Sequence, residues 1–153
     1  MVDKNGITGK ILILGYTHPD SFPLLWKYRL TQTVVDYPYA QSLNACRKKV
    51  QVHLKIDTGM HRLGIRSDHI EEISRIFQMD NLLVDGIYTH LCVSDSMTAA
   101  DREFTYQQAN AFYTLLEKLS ERGISCPNIH LSASYGLIHY PEFPSNYARI
   151  GIA

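Results

Sequence analysis

Residues 55–64 read KIDTGMHRLG and concentrate polar chemistry where a core-bound strand would be expected to continue. The preceding VQVHL alternates in character like a strand entering a core. Then come a Lys, an Asp, two Gly, a His and an Arg. Lysine can supply an amine, arginine a permanently charged donor fork for an anion, and glycines let the backbone turn tightly beside a ligand. The same mixture recurs in smaller doses further along: Thr89 and His90 in GIYTHL, Ser132 and Ser134 in HLSAS, and Arg149 with Gly151 in YARIGIA.

Such groups act together only if the fold gathers them. Six short apolar or β-branched runs recur, at residues 11–15, 31–36, 50–57, 82–91, 128–134 and 147–153, and each is an expected strand. Between most of them the spacing turns helical. Ile70, Ile73, Ile76 and Phe77 form one stripe; Phe104, Phe112, Leu115, Leu116 and Leu119 form another, ending where Gly123 suits a helix C-terminus. The last crossover, residues 133–146, holds two prolines and is expected to be a loop or a short turn. Strands alternating with helices imply a parallel sheet with right-handed crossovers.

Two architectures satisfy that pattern, an open doubly wound sheet and part of a (β/α)8 barrel. No GxGxxG follows the first strand, which weakens the dinucleotide version of the open sheet. A whole barrel takes about 250 residues, so six strands in 153 residues would make an incomplete one. In either case ligands gather at the carboxyl ends of the strands, where the polar groups above lie.

Composition excludes other classes. Fifteen basic residues balance fifteen acidic ones, and the longest basic run is Arg47–Lys49, a solvated helix end, so neither nucleic acid nor a membrane surface is an expected partner. No apolar stretch approaches the roughly 18 residues of a span, and the N-terminus lacks a signal peptide's apolar segment. Cys46, Cys92 and Cys126 are odd in number and show no CxxC spacing, which favours free thiols and a cytoplasmic location. His61, His69, His90 and Cys92 lack zinc-ligand spacing, so no metal site is expected. GLIHYPEF reads as aromatic packing, and no GxSxG or Walker element is present.

HLKIDTGMHRLGI, GIYTHL, HLSASYGL and YARIGIA, in this order, resemble the N-terminal barrel of alanine racemase, a pyridoxal-phosphate enzyme; GMHRLGI with THLCVSDS is closest to the racemase domain of vancomycin-resistance serine/alanine racemases. The resemblance covers essentially the whole chain, residues 1–153, with ILILGYT placed as the barrel's third strand. It implies a partial TIM-type barrel, strands 3 to 8, without strands 1 and 2 or the C-terminal β domain.

The family's roles transfer residue by residue. Arg62 would hydrogen-bond the cofactor's phenolic oxygen, and Lys55, carbamylated in some members, would orient it; the plain reading of Lys55 is a strand-end cation paired with Asp57. Arg149 would contact the pyridine nitrogen and keep the ring a weaker electron sink. His90 would support that arginine, while Ser134 and the backbone N–H groups of Gly151 and Ile152 would receive the phosphate. Ala133 stands where racemases commonly have Asn, removing one polar contact near the phosphate.

The family's cofactor-bearing lysine and its second catalytic base, a tyrosine of the β domain acting across a head-to-tail homodimer, have no counterpart here. Two-base racemisation needs a group on each face of the α-carbon, so the expectation is a racemase segment, interconverting L- and D-alanine or L- and D-serine for peptidoglycan in the whole enzyme and inactive alone. Two alternatives stand beside it: a non-catalytic cofactor-homeostasis barrel, and a remnant that pairs with a racemase through an open sheet edge.

Overall fold

Alternating apolar and polar side chains along one strand set up the architecture. In the computed structural model, which describes residues 9–151, β3 (Val50–Asp57) turns Val52, Leu54 and Ile56 to one face and His53, Lys55 and Asp57 to the other, all of them buried. The apolar face packs against α3 (Ile70–Phe77) and α4 (Ala99–Glu121), whose Ile73, Ile76, Phe112, Leu115 and Leu119 complete the core. The other face is polar and looks into a concavity.

The remaining strands are β1 (Leu12–Ile13), β2 (Thr31–Val34), β4 (Ile65–Arg66), β5 (Leu82–Tyr88) and β6 (Ile129–His130). All pairings are parallel, in the order β1, β2, β3, β5, β6, with β4 added at the carboxyl end of β3. Further helices are α1 (Phe22–Lys27), α2 (Tyr37–Ala45) and α5 (Ser134–His139). The result is an α/β half-barrel of parallel strands, the second of the two expected architectures. Among the described residues no helix is long and apolar enough to cross a membrane.

Several expected boundaries move, each for a local reason. The first run contracts to Leu12–Ile13. The second stops at Val34, because Asp36 leaves the ladder to cap α2, its carboxylate accepting the Tyr39 N–H at 2.7 Å while Pro38 fills the first turn. The fourth ends at Tyr88 rather than at residue 91. Residues 128–134 keep only Ile129–His130 as strand, since Ser134 already opens α5 in the crossover expected to be a loop or turn. The last expected strand survives as one parallel bridge, Arg149 to Ala133, its end lying outside the described residues.

Register then aligns the polar face. Lys55 lies opposite Tyr88, and Tyr88 opposite His130, which makes one row across β3, β5 and β6. The row beneath it holds Thr33, His53 and Gly86. Side chains far apart in sequence become neighbours by pairing alone.

Candidate functional site

Lys55, Arg62, His90, Ser134, Arg149 and Gly151 all line a single cavity of about 530 Å³ at the carboxyl ends of the strands. Six of the seven positions to which the resemblance gives a role therefore meet; the seventh, Ile152, lies outside the described residues, and Thr89 and Ser132 are buried beside the cavity without lining it.

The turn after β3 explains how Arg62 reaches this cavity. Asp57 folds its carboxylate back onto the loop: Oδ1 accepts the N–H groups of Gly59 and His61, each at 3.0 Å, and Oδ2 lies 3.0 Å from His61 Nδ1. Burial works to raise this carboxyl's pKa, but those donors outweigh it and hold it below the usual range. Gly64 closes the loop at φ +118°, with a virtual Cβ only 2.9 Å from Lys55 O and Asp57 N, so no side chain fits there. The Lys55–Asp57 pairing offered by the plain reading is absent, because Asp57 is committed elsewhere and Lys55 Nζ donates to Ile56 O at 2.9 Å.

Lys55 is consequently a buried amine without a carboxylate. Burial, then the nearby Arg149 charge, brings its pKa down to about 8. Arg62 is exposed, makes no hydrogen bond among the described residues and adds its own charge to the same cavity.

Arg149 is the most constrained group. Nη2 donates to Thr89 O and Leu131 O, each at 2.8 Å, and Nη1 reaches His130 Nδ1 at 2.8 Å. Its charge sits 5.0 Å from the Tyr88 ring centre, with Lys55 Nζ 5.5 Å from the same ring. Burial lowers its pKa to about 10, which still leaves it charged at neutral pH. None of its partners is an anion.

His90 stands where the sequence put it, though its Nδ1 is 3.4 Å from Arg149 Nη2, at the long limit for a hydrogen bond. The closer histidine is His130, which sequence reasoning passed over along with Tyr88. Both sit inside the quoted runs GIYTHL and HLSAS, and the strand alternation that turns Ser132 or His130 inward was the available signal. Burial first, and Arg149 second, pushes His90 down to about 4 and His130 to about 3, so both rings are neutral.

The second layer comes from α4. Gln108, fully buried, donates to His90 O at 3.2 Å and accepts the Cys92 N–H at 3.0 Å, fixing the segment that follows β5. Thr89 Oγ1 donates to Ile56 O at 3.0 Å and lies 2.8 Å from Thr58 Oγ1, which ties that segment to the β3 turn. At the far wall, Ser134 Oγ accepts the Gly151 N–H at 3.1 Å, leaving the hydroxyl hydrogen available to a ligand.

A half-barrel of this topology with this cavity has known relatives. Residues 1–153 match the model of the alanine racemase N-terminal domain. The chain belongs to the alanine racemase family. It is 40% identical over 149 residues, 97% of its length, to an amino-acid racemase of Enterococcus faecalis, and 38% identical over 149 residues to a serine/alanine racemase of Enterococcus gallinarum. Against an alanine racemase of Methanococcus maripaludis the identity is 35% over 153 residues. An alanine racemase structure from Clostridium difficile 630 superposes with a TM-score of 0.89 at 33% identity, covering 99% of this chain. The chain spans 21% of the length of the two enterococcal relatives and 40% of the other two. This member of the alanine racemase family thus keeps the fold of the Clostridium difficile structure over nearly its whole length.

Proposed function

We propose that this chain is the cofactor-binding part, strands three to eight, of the barrel of a pyridoxal-phosphate-dependent amino-acid racemase acting on alanine or serine. The observation that carries the reading is Arg149, a half-buried cation held by neutral acceptors in a cavity that also receives Lys55 and Arg62, with no carboxylate ion-paired to any of the three among the described residues. Three positive charges facing one concavity repel one another without an anion, and a phosphorylated, phenolic ring supplies two negative groups. The residues fit that group. The relatives described above, all racemases, favour this over a non-catalytic carrier barrel.

When bound, pyridoxal phosphate would supply the electron sink that makes an amino acid's α-proton removable. The chain's own groups would set how strong that sink is. Arg149, unable to surrender its proton, would hold a donor against the pyridine nitrogen and keep the sink weak, which favours racemisation. Arg62 would donate to the phenolic oxygen. Ser134 Oγ–H and the neighbouring backbone would take the phosphate, with Ala133 offering no further contact. The groups that abstract and return the α-proton are expected from the rest of a full-length, head-to-tail dimeric enzyme.

Lys55 fits carbamylation because only a neutral amine, with a free lone pair, can attack carbon dioxide and then lose a proton to leave the carbamate. With a pKa of about 8, about one amine in ten is neutral at pH 7, against about one in three thousand for an unperturbed lysine near 10.5. A carbamate would convert Lys55 from a charge that repels Arg62 into one that attracts and orients it. In ¹³C-bicarbonate a carbamate signal should appear and grow as pH rises through 8, and vanish in Lys55→Ala. A spectrum without that signal at any pH would leave Lys55 a plain cation.

The direct test is a chimera in which these 153 residues replace the matching segment of a full-length enterococcal racemase. It is expected to interconvert the enantiomers of alanine or serine and to bind pyridoxal phosphate. A folded dimeric chimera that binds the cofactor without racemising either amino acid would overturn the racemase reading, and one that binds no cofactor would overturn the site.

A further inference from the structure

We propose that His130 and His53 form a directional hydrogen-bond relay that runs away from the candidate site toward the carboxylate of Asp85 and fixes Arg149 from behind, with His53 and Asp85 as positioning residues. Arg149's role toward the cofactor rests on the reading above; the relay itself is a property of this chain's geometry.

Direction follows from donor chemistry. A guanidinium only donates, so the 2.8 Å contact from Arg149 Nη1 requires a bare Nδ1 on His130. Neutral His130 must then carry its proton on Nε2. That nitrogen lies 2.9 Å from His53 Nδ1, which must be the acceptor, so the proton of His53 sits on Nε2 as well. His53 Nε2 faces Asp85 Oδ2 at 3.7 Å, an electrostatic contact longer than a hydrogen bond, and the same carboxylate oxygen accepts from Lys10 Nζ at 2.7 Å. One permanently charged donor thereby dictates the tautomer of two rings, and the series ends on a carboxylate.

Three further observations agree. Both rings are buried, at 2% exposure for His130 and 6% for His53, where an unpaired imidazole nitrogen would be costly. Asp85 is the extra residue of an irregularity in β5: Val52 pairs with Val84 but His53 with Gly86, so Asp85 is inserted opposite the His53 position. Gly86 leaves the room for the ring, since a Cβ there would fall 2.5 Å from His53 Cε1. The bulge, the glycine and the two rings have no such explanation as ordinary core. Burial also keeps both imidazoles below their normal pKa, as the neutral relay requires.

The experiment is ¹⁵N NMR of the imidazole nitrogens in the histidine-labelled 153-residue chain at neutral pH, without cofactor. His53 and His130 are expected to be neutral with the proton on Nε2. Asp85→Asn should move the His130 signals as well as those of His53, while exposed His18 and His69 hold still. Gly86→Ala, which displaces the His53 ring, should move the same two residues. An Nδ1–H tautomer or a charged ring at either position in the unsubstituted chain overturns the relay, as does an Asp85→Asn spectrum in which His130 is unmoved. Pyridoxal phosphate is absent throughout, so failure of the cofactor reading leaves this result unchanged.

Discussion

Arg62→Ala in a full-length racemase carrying these residues is expected to lower kcat by about 10²- to 10³-fold, the usual loss when one preorganised donor is removed from the reacting centre. Stability should change by no more than about 0.5 kcal/mol. The two halves of the prediction have separate sources. Arg62 is exposed, has no hydrogen-bond partner among the described residues and follows His61, which holds a positive φ of 54° in a loop organised by Asp57. Nothing in the fold depends on its guanidinium, while the cavity does receive it. Turnover together with the denaturation midpoint separates the outcomes: wild-type kcat removes Arg62 from the site, and a large drop in midpoint makes its role structural.

The sequence was most readable where one element does one thing over many residues. β3 and α4 carry unbroken patterns, of period two and of helical spacing, and both lie close to where those patterns put them. Gly123 ends the α4 region at φ +74°, as its type suggested. β4 was invisible because two residues after a glycine hold no period. The site was legible as residue types at strand ends, because strand polarity delivers those ends to one place. Its wiring was not. That Arg149 would meet His130 more closely than His90, or that Asp57 would turn from Lys55 to its own loop, depends on register and on a bulge at Asp85, and neither leaves a mark in the spacing of hydrophobic residues.

Arg149→Glu is the substitution with the widest consequences, because Arg149 is both a strut and the proposed partner of the pyridine nitrogen. As a strut it donates to Thr89 O, Leu131 O and His130. A carboxylate donates to none of them, so stability should fall by at least about 1–3 kcal/mol, the cost of leaving a buried acceptor unpaired. The electrostatic change runs the other way for its neighbours. Arg149 is the second cause, after burial, of the depressed pKa values of Lys55, His90 and His130, so exchanging its charge for a negative one should raise all three. Toward the cofactor, Glu can share a proton with the pyridine nitrogen where Arg cannot, which strengthens the electron sink. In the full-length enzyme the ratio of transamination to racemisation should therefore increase. Arg149→Gln distinguishes the two roles, since its amide can still donate to Thr89 O or Leu131 O without carrying charge. A Gln variant that recovers part of the stability but not the Glu variant's product ratio would make the effect electronic, whereas an unchanged ratio in Arg149→Glu would remove Arg149 from the pyridine nitrogen and leave it only the work of joining β5 to β6.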